Sequence, residues 1–203
     1  ESPHRSGLLI LGVSAIGGFV INLDQAALPV VNPTLGSDLG ATLSEFQWVL
    51  NAFLLPLAVF LIAGGALGDR FGRVRILAFG LVLFSVSSLA AALVPSIDFL
   101  IVARVGQGVG AALVIPSALG AVRASFSGQA LSSALGVWFA AVLTGVAIGP
   151  FFAGLLLEVA GWREVFWLIF SLGALGSVFA IRAIFVANEN QSVFHLDILG
   201  NIL

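Results

Sequence analysis

Long apolar runs separated by short polar breaks are the main pattern along this chain. A helix needs about 20 apolar residues to cross a bilayer, and each run has roughly that length. The breaks between the runs collect charged residues and turn-forming prolines and glycines. The pattern predicts six membrane-spanning helices, which lie near residues 7–31, 46–67, 74–94, 99–121, 131–157 and 164–187.

The two ends of this pattern need separate interpretation. The first run is too long for the apolar core of a signal peptide and lacks a convincing cleavage site, so we interpret it as a retained span. After the sixth run, polar residues 188–192 and the apolar residues from His195 onward predict a linker and the start of a seventh span. We therefore divide the chain into a six-helix unit, 1–187, and a linker with a truncated seventh helix, 188–203.

The composition supports a protein whose main solvent is lipid. Hydrophobic residues make up 60% of the chain and charged residues only 9%, whereas a soluble domain carries about 25% charged residues. The net charge of −2 does not indicate a nucleic-acid partner. Without cysteine, and with two isolated histidines, the chain offers no metal site, no cofactor site and no Ser/His/Asp arrangement. We expect an all-α membrane protein that is not an enzyme.

The arginines predict the orientation of the chain in the membrane. Cytoplasmic segments carry an excess of lysine and arginine. If the N-terminus is cytoplasmic, only Arg163 lies outside and Arg104 lies within a span, and the other arginines are all cytoplasmic. This indicates a multi-pass protein of the plasma or inner membrane with a cytoplasmic N-terminus. The cytoplasmic set consists of Arg5, Arg70, Arg73, Arg75, Arg123 and Arg182.

Two ionisable residues, Asp24 and Arg104, fall inside predicted spans. Each costs a few kcal/mol at mid-membrane, so each is expected to face a cavity or a partner. Asp24 lies about eight residues before the outer end of its helix and Arg104 about six after the outer start of its helix, which places both roughly 10 Å below the outer surface. The common depth predicts an ion pair or a shared water-filled pocket.

Such a pair has two interpretations. A carboxylate beside an arginine favours its charged form, and loss of that neighbour or of water favours the protonated form. If the neighbour changes between conformations, Asp24 can load and release a proton. The alternative is a static structural pair, with Asp24 near enough to the boundary to reach water.

Other polar and aromatic residues are further candidates. Gln107 lies one turn from Arg104 on nearly the same helix face, either as part of a stripe of donors or as a neutral residue that joins two helices. A second set has the chemistry to bind flat, apolar or cationic compounds, although such aromatic residues commonly face lipid or headgroups. This set consists of Trp48, Asn51, Phe53, Trp138 and Phe139.

The fifth span contains a proline between glycines. Proline removes a backbone hydrogen bond and bends a helix, and glycines allow membrane helices to approach closely. A moving helix and a static kink are both consistent with this pattern. The residues are Gly145, Gly149, Pro150 and Gly154.

Three motifs in order resemble the major facilitator superfamily, in particular its fourteen-span drug:proton antiporters. The segment Gly65–Arg75 matches G-x-L-x-D-R-x-G-R-(K/R)-(K/R), except that Val74 replaces one basic residue. The fourth span matches R-x-x-Q-G-x-G-A-A from Arg104 onward. The fifth span matches G-x-x-x-G-P-x-x-G-G from Gly145, with Ala153 in place of one glycine.

The resemblance to the fourteen-span group is less complete outside these motifs. That group carries L-D-x-T-(I/V)-V-N-x-A-L-P in its first span. Leu23-Asp24 and Pro33 fit this pattern, whereas Ala26, Pro29 and Asn32 depart from it. Trp162-Arg163 before the sixth span is similar to the group. Phe53 stands where the group usually has tyrosine. These departures bear on the substrate more than on the fold.

The resemblance implies the six-helix N-terminal half of a transporter that works by alternating access. Asp24 would be the proton-linked acid, and Arg104 would tune it. Asp69 would dock against a helix N-terminus of the missing C-terminal half, or would meet Arg73 or Arg123 within this chain. The residues of this gate would be Gly65, Asp69, Arg70, Gly72, Arg73 and Arg123.

The function expected from these observations is proton-coupled export of small amphipathic or cationic compounds, that is, multidrug efflux. Its partners would be the lipid bilayer, a small-molecule substrate, protons and the missing C-terminal half. One alternative is a metabolite or sugar carrier of the same superfamily, and another is a membrane receptor or scaffold that transports nothing. As half a transporter, the chain by itself would be inactive.

Overall fold

Six long helices make up the described part of the protein, whose structure is a computed structural model. It describes the backbone of residues 3–200 and the side chains of residues 6–31 and 33–185. Within these residues, six helices are long and apolar enough to cross a membrane. The predicted all-α fold with six spans is therefore confirmed. The helices are α1 (Pro3–Leu39), α2 (Leu43–Phe71), α3 (Arg73–Ala92), α4 (Ile97–Ser125), α5 (Gly128–Val159) and α6 (Arg163–Gly200).

The first helix is longer than the sequence pattern predicts. The polar segment from Asn32 to Glu45 predicts a break, but α1 continues through Pro33 to Leu39. A proline costs the helix one backbone hydrogen bond, whereas Leu35 beyond it is fully buried. Packing of the last turns therefore outweighs the local preference for a break. The next helix begins at a capping box, in which Thr42 and Glu45 each accept a backbone hydrogen bond from the other.

The charged segment between the second and third helices is also more regular than the pattern predicts. Residues 68–75 have the composition of a loop, but α2 ends at Phe71 and α3 begins at Arg73. Gly72 alone joins them, with φ +99°, a conformation that favours glycine. The charged residues therefore belong to the last turn of one helix and the first turn of the next, and their positions are set by helix geometry.

The helices pack as two related groups of three. The central and most enclosed helix, α4, packs mainly on α2 and α3, and α1 packs mainly on α5 and α6. Exchange of α1–α3 with α4–α6 therefore reproduces the main packing pairs. The least enclosed helices are α2 and α5, which expose large apolar side chains along their outer faces.

Glycines bring two of these helix pairs into close contact, as the sequence predicts. A side chain at Gly108 would collide with the backbone carbonyl of Phe53, which fixes the distance between α4 and α2. A side chain at Gly145 would collide with the carbonyl of Phe19, which fixes the distance between α5 and α1. In a membrane, such close van der Waals contact replaces the hydrophobic drive for helix association.

The predicted boundary after residue 187 lies outside the part of the chain whose side chains the structure describes. The candidate membrane span of α6 is Arg163–Phe185, and the helix is assigned to Gly200. The linker and the start of a seventh span over 188–203 stay a prediction.

Candidate functional site

A buried ion pair lies between α1 and α4. Arg104 Nη1 donates to Asp24 Oδ2 at 2.6 Å, and the two side chains are 0% and 1% exposed. The ion pair indicated by their common predicted depth is therefore present. Charges this well enclosed interact strongly because little water screens them, although removing both from water is costly.

Hydrogen bonds extend the pair to further polar residues, and one of them is Gln25, whose Nε2 lies 3.5 Å from Asp24 Oδ2. Arg104 Nη1 also donates to Gln107 Oε1 at 2.8 Å. Gln107 Nε2 donates to Ser88 Oγ at 2.8 Å and lies 3.4 Å from Asp24 Oδ1, and Ser88 in turn donates to the Phe84 carbonyl. Gln107 thus contacts both charged groups and fastens them to α3, which combines the two roles that the sequence leaves open.

The guanidinium of Arg104 also has an aromatic contact. Its Cζ lies 4.6 Å from the centroid of the Phe53 ring, and Phe53 is fully buried. Gly108 is one turn from Arg104 on the same face of α4, and its missing side chain lets the α2 backbone approach at Phe53. The glycine of the fourth-span motif therefore explains how the ring comes to lie against the charge.

The other edge of the guanidinium has no partner in the described part of the chain. Arg104 Nε and Nη2 are buried, and neither donates a hydrogen bond to any described residue. A buried donor without a partner normally costs about 1–3 kcal/mol. Arg104 is thus held by two acceptors on one edge and by one aromatic face, while its remaining donors can take a new partner.

The cluster has the chemistry of a two-state charge site. Arginine stays protonated in proteins, so only Asp24 can change its charge here. With Asp24 ionised the pair is neutral, and with Asp24 protonated the apolar interior holds one positive charge. The two states therefore differ strongly in their internal electrostatics.

The structure separates the five residues predicted to line a pocket. Phe53 lies under Arg104, and Trp138 is buried against α1, where its Nε1 donates to the Ser14 carbonyl at 3.0 Å. The other three are exposed on α2 and α5. Two of the five therefore belong to the interior of the bundle, and the exposed ones are Trp48, Asn51 and Phe139.

The charged helix junction contains a second acid–arginine pair. Arg73 Nη2 lies 2.8 Å from Asp69 Oδ1, and their side chains are 39% and 64% exposed. Of the two partners considered for Asp69, Arg73 is the one observed, while Arg123 is exposed at the end of α4. A side chain at Gly120 would collide with Arg73, so that glycine gives Arg73 its room.

The remaining residues predicted for the gate surround this pair. Arg70 is exposed, and its Cζ lies 5.3 Å from the ring centroid of Phe71. Gly65 is close to Pro116 of α4, and Gly72 forms the turn. The residues of the first motif are thus gathered at one end of the α2, α3 and α4 helices.

The motif of the fifth span lies mostly along α1. Gly145 and Gly149 face the α1 backbone near Phe19 and Leu23, whereas a side chain at Gly154 would meet no described atom within 4 Å. Pro150 is exposed. Two of the four predicted residues therefore form the contact with the helix that carries Asp24.

Several members of these clusters have little signal in the sequence. Ser88 is only one of three serines in an apolar span. At the end of the bundle opposite the charged helix junction, Trp162 Nε1 donates to Asp38 at 3.0 Å and Arg163 Nη2 donates to the Val94 carbonyl at 3.0 Å. The Trp-Arg dipeptide itself stands out in the sequence, but its partners are far away along the chain and have no visible signal.

Comparison with known families agrees with the helices and motifs described above. The family model described as Major Facilitator Superfamily matches residues 14–195. The chain is 36% identical to the tetracenomycin C resistance and export protein of Streptomyces glaucescens over 93% of its length. It is 34% identical to the methylenomycin A resistance protein of Bacillus subtilis over 100% of its length.

A third relative is the methyl viologen resistance protein SmvA of Salmonella typhimurium, which is 40% identical over 72% of this chain. The chain spans 35%, 43% and 30% of the lengths of these three relatives. The family match contains Asp24, Arg104 and all three motif segments. This chain is a multi-pass membrane protein and belongs to the major facilitator superfamily.

Proposed function

We propose that this chain is the N-terminal half of a proton-coupled exporter of small amphipathic or cationic compounds. The observation that carries the proposal is the Asp24–Arg104 pair, in which the acid and its counter-charge are both enclosed in the membrane-spanning bundle. Intramembrane charges are costly, and in transporters they commonly mark ion pathways.

The names of the relatives support export of drug-like compounds. They are described as resistance or export proteins for tetracenomycin C, methylenomycin A and methyl viologen. Methyl viologen is a flat aromatic dication. We infer a similar class of substrate for this protein, bound between this half and a second half that would cover the exposed faces of α2 and α5.

The coupling step follows from the charge states of the pair. A protonated Asp24 releases its proton when Arg104 is held beside it, because the guanidinium favours the carboxylate. It takes up a proton when the pair is loosened or opened to the outer solution. Substrate export would be linked to this exchange, since the two states of Asp24 favour different arrangements of α1 and α4.

The charged junction would report on the same movement from the cytoplasmic side. We propose a plasma-membrane protein with a cytoplasmic N-terminus, in which Asp69 docks against a helix N-terminus of the C-terminal half. Arg73 would orient the Asp69 side chain for this docking through their 2.8 Å contact. On this proposal the protein moves its substrate without chemical change and is not an enzyme.

The test uses the full-length transporter that contains this chain, reconstituted in proteoliposomes with an imposed pH gradient. Methyl viologen is the substrate probe. We expect Asp24→Asn to lower proton-driven transport about tenfold or more, because the amide cannot exchange a proton. Asp98→Asn is the matched control, since Asp98 is exposed at the start of α4, and it should transport normally.

Substrate binding separates loss of coupling from loss of fold. Asp24→Asn protein should still bind methyl viologen, as measured by isothermal titration in detergent. Undiminished proton-driven transport by Asp24→Asn would contradict the proposed role of this acid.

A further inference from the structure

The contacts of Arg104 fall into two kinds, those that depend on the charge of Asp24 and those that do not. The bond from Nη1 to Asp24 Oδ2 weakens when the carboxylate is protonated. The bond to Gln107 Oε1 and the contact with the Phe53 ring remain, because neither group titrates. Phe53 is thus the one aromatic partner of Arg104 among the described residues.

We propose that Phe53 is a positioning residue for proton coupling, whose ring holds the Arg104 guanidinium in the position from which it pairs with Asp24. The inference rests on the proposed function of Asp24. It concerns a residue of α2, outside the motif that contains Arg104.

Three features of the contact support a positioning role. The ring is fully buried, so lipid and water do not compete for the guanidinium, and desolvated cation–π contacts are the stronger ones. The α2 backbone at Phe53 packs directly against Gly108, which brings the ring close to Arg104. Nε and Nη2 have no partner among the described residues, so they would not keep the guanidinium in place if the ring were lost.

The direction of the shift in the pH midpoint follows from the distance between Arg104 and Asp24. A guanidinium that leaves its place stabilises the Asp24 carboxylate less, because charge–charge attraction falls as the distance grows. Removal of the ring should therefore move the pH midpoint of proton-driven transport upward.

The charged groups in the described part of the bundle other than Asp24 and Arg104 lie away from the pair. On α1 and α4 they are Asp38, which accepts a hydrogen bond from Trp162, and Asp98 and Arg123 near the two ends of α4. Arg104 itself faces Asp24 from α4, and the described parts of α2, α3, α5 and α6 present only uncharged groups at this depth. The charged side chains of those four helices lie near their ends, or near the end of the described part of α6. They are Glu45, Asp69 and Arg70, then Arg73 and Arg75, then Glu158, and finally Arg163, Glu164 and Arg182.

The experiment measures transport of methyl viologen by the full-length protein as a function of pH. Phe53→Leu keeps an apolar side chain and removes the ring, and we expect its midpoint to rise by about 0.5 pH unit, which is about threefold in proton concentration. Phe53→Tyr keeps the ring and should restore the original midpoint. Phe46→Leu is the matched control, because Phe46 is also buried on α2 but is not stacked on Arg104.

A midpoint of Phe53→Leu equal to that of the unchanged protein would overturn the inference, even if its transport rate fell. If Phe53→Leu does not accumulate, Phe53→Met makes the same test. An equal shift in Phe46→Leu would also overturn it, since loss of packing would then be the cause. Asp24→Asn distinguishes the two proposals. If Asp24→Asn does not transport and the pH midpoint of Phe53→Leu is unchanged, only the role of Phe53 is refuted.

Discussion

The same two residue types form two contacts of nearly equal length in opposite surroundings. Asp24 and Arg104 are 2.6 Å apart and almost fully buried, and Asp69 and Arg73 are 2.8 Å apart with 64% and 39% of their side chains exposed. The separation of the atoms therefore does not distinguish the pairs. Their burial does, because water and salt screen the exposed pair and leave the enclosed pair almost unscreened.

The difference also lies in what else holds each pair. Gln107 on the same helix and Phe53 on α2 keep Arg104 in place, whereas Asp69 and Arg73 are neighbours one turn apart across the Gly72 junction. The buried pair thus ties together separate parts of the bundle. The exposed pair joins two residues one turn apart. We expect it to matter because a partner can reach it, and not because it stabilises the fold.

The largest expected effect comes from breaking the buried pair on one side. Arg104→Ala leaves the Asp24 carboxylate enclosed without its counter-charge, and removal of one partner of a buried pair costs about 3–5 kcal/mol. We expect a correspondingly large fall in the free energy of unfolding, measured by denaturant titration of the full-length protein in detergent. Arg123→Ala is the control because Arg123 is exposed. Equal stability of the two variants would contradict the expected difference between buried and exposed charge.

A medium effect is expected where a glycine sets a helix distance. Gly145→Ala places a methyl group against the Phe19 carbonyl, so α5 must move away from the helix that carries Asp24. Overpacking of this kind costs about 1–3 kcal/mol. Thermal unfolding of the purified protein should show a lower Tm. By contrast, Gly154→Ala, from the same motif, meets no described atom within 4 Å and should be neutral or slightly stabilising. A loss in both variants would mean that contacts other than the one with α1 set the requirement for glycine.

The smallest effect on stability is expected at the exposed pair. Asp69→Asn should change the free energy of unfolding by less than about 1 kcal/mol, the usual range for a surface ion pair. If Asp69 is the proposed latch, transport by the same variant should fall much more than its stability. Measurement of both quantities in one preparation, at low and at high salt, checks this; a parallel loss of stability and transport would make the residue structural.

The predictable part of this site is its position along the membrane normal. Counting residues from the ends of the spans puts Asp24 and Arg104 at one depth, and the structure pairs them. The same counting does not reveal that Phe53 and Ser88 complete the cluster, or that α1 continues past Pro33 to Leu39. Depth follows from helix rise and span length, whereas the direction of a side chain around the helix axis follows from which helices it packs against.

The sequence by itself determined the class of fold. A chain with 60% hydrophobic residues in runs of bilayer length has too few polar side chains to cover its surface in water. It also determined which groups carry charge inside the membrane and, through three motifs, the superfamily. Only the tertiary structure decided that Arg104 has two acceptors on one edge, an aromatic ring on one face and, on the other edge, donors without a partner among the described residues. The physical reason is that the cluster joins side chains from four different helices, and close packing at residues such as Gly108 decides which side chains meet.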